Sequence, residues 1–475
     1  MDKKFYLTTT LPYVNADPHI GFALEIVHAD IVARYHRLMG QEVFFTTGTD
    51  EHGQKIAQKA AEEGRNVQEY VDHFAGQFEK LKESLNLSND AFIRTTDPKH
   101  IEAAQELWKR CQEAGDIEKK KYKGLYCVGD EAFLKEGDLV DGKCPNHPNM
   151  SPIEIEEENY FFKLSNYQKY LEEYLSQEGV IVPEWRRQEA LNFVKGGLED
   201  FSISREKARM SWGIPVPGDE EQVMYVWFDA LTNYISTLGW PSDTDGNFAK
   251  FWDGGEVVQM AGKDQVRFQS IMWQAMLKSA KIKNTDKVVY HGFITSGGQK
   301  MSKSLGNVIE PFALVDEYGT DAMRFLLAKV HPFEDSDVTL EKLKETYNAD
   351  LANGLGNLAS RIMTLAQTHL EEPIKVEMTP MSSEYTDAMG RFEIHKAVEY
   401  IGGRIAALDQ RIAQEAPFKV VKEDVERGRA MIVELVVELA AIDLMLEPFM
   451  PQTAGKIIEA IMANKKPENL FPRKD

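Results

Sequence analysis

Phe5-Tyr6-Leu7-Thr8-Thr9 opens a stretch that decides the fold. A loop punctuated by Pro12, Asn15, Asp17 and Pro18 follows, then an apolar-periodic run over 21–39 closed by Gly40, then Glu42-Val43-Phe44-Phe45-Thr46-Thr47 ending at Gly48. Aromatic and β-branched runs suit strands, and a glycine just past a periodic run is where a helix stops. The reading is strand, turn, helix, strand. Strands alternating with helices predict a parallel sheet with crossovers.

Working outward, this alternation lapses over 118–223, which is read as an insertion with a Lys-rich turn and a helical segment at 165–177. It resumes with a strand at 256–260, a helix over 264–279 and a strand over 287–294. From 343 onward the pattern is helical. Ile432, Leu435, Val436, Leu439, Ile442 and Met445 recur at helical spacing and predict one buried stripe, with Pro448 and Pro451 closing that helix. The expected α/β architecture is a Rossmann-type parallel-sheet domain in two halves, 1–117 and 224–342, split by the insertion 118–223 and followed by an all-α bundle over 343–475.

A length of 475 residues allows roughly three domains. No apolar run reaches the roughly 20 residues that span a bilayer, and the N-terminus lacks the pattern of a signal peptide. Cys111, Cys127 and Cys144 are too few and too scattered for a disulfide framework, so a reducing, cytoplasmic setting is expected. Cys111 falls on a predicted helix as a core residue. The net charge of -21 weighs against indiscriminate binding to polyanions, but not against one basic groove.

Two short motifs carry chemistry. Lys300-Met301-Ser302-Lys303-Ser304 follows Gly297-Gly298. Two lysines three apart on a glycine-hinged loop can converge on one polyanion and offset charge on a leaving pyrophosphate; a solvated surface turn is the alternative. Pro18-His19-Ile20-Gly21 stands at the first strand-to-helix turn. A helix N-terminus there offers free amides to phosphate, and Gly21 admits a nucleotide closely; the alternative for His19 is a helix cap.

Together these resemble the HIGH and KMSKS signatures of class I aminoacyl-tRNA synthetases, with Phe22 where the family has its second histidine. Longer strings narrow the resemblance to the methionyl-tRNA synthetases. These are Leu11-Pro12-Tyr13-Val14-Asn15, Thr47-Gly48-Thr49-Asp50-Glu51-His52-Gly53, Tyr225-Val226-Trp227-Phe228-Asp229-Ala230-Leu231 and Ala261-Gly262-Lys263-Asp264. They occur in family order over nearly the whole chain.

The resemblance implies a methionine–tRNA ligase that forms methionyl-adenylate from L-methionine and ATP with Mg²⁺, then loads tRNA(Met). It makes His19, Lys300 and Lys303 catalytic and places ATP on Gly21, Glu25, Gly262, Asp264 and Lys303. It gives Asp50 the substrate ammonium, and Leu11, Tyr13, Trp227, Ala230, Leu231, Tyr234, Phe268, Gln269 and Trp273 the methionine pocket. Aromatic walls suit a polarisable thioether; plain core packing is the alternative for each aromatic. Gln269 stands where the family has histidine.

In the helical part, Asn353, Asn357 and Arg361 fall four apart, on one helix face. With Phe418, where the family has tryptophan, they are implied to read the anticodon. Proteins read RNA sequence on unstacked bases in this way. In the insertion, Cys127, Asp130, Cys144 and His147 resemble a degenerate zinc knuckle. Two thiolates are few for structural zinc, so a zinc-free insertion is expected. A monomer without membrane association is expected.

Overall fold

The computed structural model describes residues 3–127, 132–134, 137, 139–145, 149–301, 307–376 and 380–475. The chain forms two compact units: Met1–Pro18, Gln41–Lys80 and Asn89–Tyr290 make the first, and His19–Gly40, Leu81–Ser88 and His291–Asp475 the second.

The first unit is built on a six-stranded parallel sheet. Its order is Ala91–Arg94, Glu42–Thr49, Lys4–Thr8, Glu256–Gly262, Lys287–His291, Ile181–Val182. The register Leu7↔Phe45 and Leu7↔Val258 sets buried apolar residues side by side across its centre. The strands Lys4–Thr8, Glu256–Gly262, Lys287–His291 and Ile181–Val182 feed one core, in which Trp108, Trp252, Trp273 and Tyr290 are almost wholly buried. Gly48 does not end its strand, contrary to the sequence reading. The strand continues to Thr49 because Gly48 pairs with Ile93, where an added Cβ would come 1.9 Å from the Ile93 carbonyl oxygen.

The insertion also departs from expectation. The Lys-rich segment is a strand, Ile117–Cys127, paired antiparallel with Ile153–Phe162. Its register sets Lys121 opposite Glu158 and Lys123 opposite Glu156, so cross-strand charge complementarity supports the pair. Ala132–Leu134 and Phe201–Ser202 complete a four-stranded sheet. The helix at 165–177 is realised as a 3₁₀ turn, Leu164–Tyr167, and the helix Gln168–Leu175. Cys111 is buried on the helix Pro98–Glu113, and burial pushes its thiol up to about 12.

The expected helix over 264–279 is a composite: a 3₁₀ turn Lys263–Gln265, a π-helical turn Phe268–Met272 and an α-helix Trp273–Ser279. Gln274 Nε2 donates to Gln269 O at 2.9 Å, using a carbonyl inside the widened turn. π turns of this kind concentrate at functional sites. The strand expected over 287–294 breaks after His291, and Ile294–Ser296 pairs with Ser336–Asp337 in another sheet. The break is at Gly292, where a Cβ would meet Glu334 O at 2.2 Å.

The second unit is mainly helical. The helix Val425–Leu446 buries all six residues of the predicted stripe, and Pro451 opens the next helix, Pro451–Ala463. Buried Arg324 donates to the carbonyls of Phe449, Pro448 and Leu85 and pairs with Asp30 at 2.8 Å, tying helix ends together through one guanidinium. Among the described residues no helix is long and apolar enough to cross a membrane.

Candidate active site and RNA-reading face

In the first unit the predicted methionine residues gather in three groups. Tyr13 and Asp50 form a parallel bridge, with Asp50 N–H donating to Pro12 O and Val14 N–H to Asp50 O. Strand geometry thus holds Asp50 just past the carboxyl end of the second strand. Trp227 and Phe268 stack face to face, 3.9 Å between centroids. Tyr234 meets Trp273 edge-on at 5.8 Å and accepts a hydrogen bond from Gln269 Nε2 on its hydroxyl, while Tyr6 Oη donates to Tyr234 O. Leu11, Ala230 and Leu231 are buried nearby in sequence to these groups.

A buried network missed by the sequence reading connects these groups. Asp229 accepts from His52 Nδ1 and from His100 Nε2, each at 2.7 Å, and His100 Nδ1 meets Ser236 Oγ at 2.9 Å. Burial alone would raise the Asp229 carboxyl, but the two imidazoles outweigh it and hold it below the usual carboxylate range. His52 lies two residues beyond Asp50, and Asp229 lies on the helix Val226–Leu231 with Trp227 and Ala230. One carboxylate therefore fixes the Asp50 loop to the helix bearing the aromatic wall. Both histidines and the aspartate were visible in the sequence, yet no local spacing pairs residues 52, 100 and 229.

Gly262 closes the strand Glu256–Gly262, and exposed Asp264 accepts from Gln265 Nε2 at 3.0 Å in the following turn.

In the second unit, His19 caps the helix Ile20–Leu38, its Nδ1 accepting from Gly21 N–H at 3.0 Å. The expectation of free amides at this helix start is corrected. Ile20 N–H donates to Ile309 O, and the Phe22 and Ala23 amides both donate to His19 O. An accepting Nδ1 leaves the proton of a neutral ring on Nε2. A Cβ on Gly21 would approach His19 Cε1 to 2.8 Å and lie 4.0 Å from Met301 Cε. Met301 of the second motif thus lies beside Gly21 of the first. Of Lys300 only the backbone is described; Lys303, Asp130 and His147 lie outside the described residues.

Glu25 is buried, with Oε2 2.7 Å from His291 Nε2. His291 Nδ1 lies 2.7 Å from Gly292 O, a group that can only accept, so Nδ1 carries a proton.

The helical segment places Asn353 in a π-helical stretch, Tyr347–Gly356, and Asn357 and Arg361 on the helix Asn357–His369. Both asparagines are exposed, as is Phe418 at the start of the helix Pro417–Glu423. Arg361 is ion-paired with Asp409, a partner the sequence reading did not single out. Asn353, Asp409, Gln410 and Glu399 line a cavity of about 470 Å³. Cys127 and Cys144 are buried, and no cluster of three metal-ligating side chains occurs among the described residues.

Comparison with known proteins matches residues 5–151 and 147–363 to the family model for class I tRNA synthetases (M), and residues 364–473 to the anticodon binding domain of methionyl tRNA ligase. Methionine–tRNA ligase of Rhizobium meliloti is 41% identical, covering 96% of this chain and 91% of the relative. That of Thermotoga maritima is 39% identical, covering 98% and 76%. Methionyl-tRNA synthetase of Mycobacterium tuberculosis, solved in complex with methionyl-adenylate, superposes with a TM-score of 0.88 at 35% identity, covering 100% of this chain and 99% of that one.

Proposed function

The chain belongs to the methionyl-tRNA synthetase family, and on that premise we propose how its residues divide the work of a methionine–tRNA ligase. The reaction joins methionine to ATP as methionyl-adenylate, releases pyrophosphate, and passes the methionyl group to the 3′ end of tRNA.

Residues 1–117 and 224–342 serve as the catalytic halves, 118–223 as the connecting insertion and 343–475 as the anticodon-binding domain. The Trp227–Phe268 stack is the observation that carries the amino-acid site, because Asp229 and His52 fix it to the loop of Asp50. The thioether lies against the aromatic wall with Tyr234 and Trp273, and Asp50 accepts the substrate ammonium, whose burial demands a charged partner. Gln269 takes the place of the family's histidine while anchored to Tyr234. Asp264 accepts from the ribose hydroxyls, with Gly262 giving room.

His19 Nε2–H, the Gly21 amide and Glu25 serve ATP; a phosphate at Gly21 N–H takes the place now held by the His19 ring. Lys300 and Lys303 neutralise charge on the departing pyrophosphate, a role that Mg²⁺ bound with ATP would share. Catalysis is then positioning and electrostatics, without a covalent enzyme intermediate. Asn353, Asn357 and Arg361 read base edges, and Phe418 stacks. The insertion keeps its fold without zinc, since two thiolates fall short of a structural set. We assign a monomeric, cytoplasmic enzyme.

Amino-acid-dependent ATP–pyrophosphate exchange tests this reading directly. Methionine should support exchange where leucine, isoleucine, valine and cysteine do not. Lys303→Ala should slow exchange by about 10²–10³-fold, the range for loss of one donor on developing charge, with methionine affinity nearly intact. Exchange with leucine alone, or an unchanged Lys303→Ala rate, overturns it. Metal analysis of the same sample tests the zinc-free insertion.

A further inference from the structure

The helix Glu184–Lys195 buries Ala190, Leu191 and Val194, yet turns two aromatic rings outward. Trp185 is 51% exposed and Phe193 39%. An exposed aromatic ring rimmed by a polar partner can mark a contact surface. Phe193 is not bare: the exposed Arg267 guanidinium lies over its ring, 4.4 Å from the centroid. Arg267 is bonded directly to Phe268, which forms the wall with Trp227, and stands three residues past Asp264. The exposed stack therefore adjoins the place where the adenylate is held, and Trp185 lies about 12 Å further along the helix by its rise.

An aromatic face paired with a guanidinium plane is the surface that unpaired nucleobases recognise. The reaction requires one unpaired strand at this place, because the acyl group must reach the end of a tRNA. We propose that Phe193 and Arg267 form a stacking platform for the single-stranded 3′ end of the tRNA. A base inserts at the Phe193–Arg267 stack and keeps the terminal adenosine beside the Trp227–Phe268 wall. These are positioning residues and take no part in adenylate formation. The inference rests on the amino-acid pocket proposed above.

The test compares Phe193→Ala, Arg267→Ala and the conservative Phe193→Trp in the full chain. Phe193→Ala and Arg267→Ala should each lower kcat/KM for charging by about tenfold, within the range of one base–aromatic stack, while methionine-dependent exchange stays within about twofold. Phe193→Trp should restore charging. As a competitive inhibitor, tRNA shortened by its unpaired 3′ nucleotides should bind wild type and Phe193→Ala equally. The platform is overturned if charging is unchanged, if exchange falls in parallel with charging, or if the shortened tRNA also loses affinity for Phe193→Ala. Wild-type exchange reports on the pocket and the charging-to-exchange ratio reports on the platform, so the two ideas fail separately.

Discussion

Two buried aspartates, one in each unit, have opposite fates. Asp229 in the first unit has a histidine on each carboxylate oxygen and sits below the usual carboxylate range. Asp443 in the second unit lies on the long helix Val425–Leu446, and its Oδ1 has no hydrogen-bond partner among the described residues. Burial, and then the nearby Glu447, push it up to about 8. Depth of burial is similar, so the partners decide. Where the fold anchors the Asp50 loop, it supplies two imidazoles; where a helix only packs, the carboxyl is left to stay protonated.

The largest effect expected from breaking this contrast is at Asp229. Asp229→Ala leaves two buried imidazoles without their acceptor and should cost about 3–5 kcal/mol, the range for breaking a buried pair, measured by denaturant unfolding. Exchange activity should fall with it, because the Asp50 loop loses its anchor. A loss under 1 kcal/mol with full exchange would remove Asp229 from its positioning role.

Asp443→Asn should act in the opposite direction. A carboxyl raised to about 8 in the folded state, against roughly 3.9 unfolded, favours the folded state only while protonated. Its penalty is nil below about pH 4, grows through neutrality and saturates above about pH 8. The variant should therefore raise the melting temperature most at pH 8 and not at pH 4, as scanning calorimetry would show. A pH-independent difference would contradict the assignment.

The smallest effect sharpens the contrast on the RNA side. Asn357→Ala should lower tRNA charging by about tenfold, the worth of one base-edge contact, with exchange and stability unchanged. Equal loss of charging and exchange would contradict the division of labour.

Much was legible along the chain because its signals are local. The strand–helix–strand opening, the buried stripe from Ile432 to Met445, and the strings around Asp50, Trp227 and Lys300 need only neighbouring residues to be read. The Lys-rich segment was misread as a turn because its glutamate partners lie some thirty residues on, where only strand pairing brings them opposite. The helix over 264–279 was read as regular because a π turn leaves no mark on apolar spacing.

By itself, then, the order of residues determined the α/β class, the insertion, the terminal helices and the family, since periodicity and contiguous motifs are properties of short segments. Only the tertiary structure decided that Asp229 joins His52 to His100, that Glu25 meets His291, that His19 occupies the amide at Gly21, and that Arg267 covers Phe193. Apart from the helix cap at His19, these pairs are separated by dozens to hundreds of residues. Hydrogen bonds and ring contacts act over a few ångströms, and folding alone makes such distant residues neighbours.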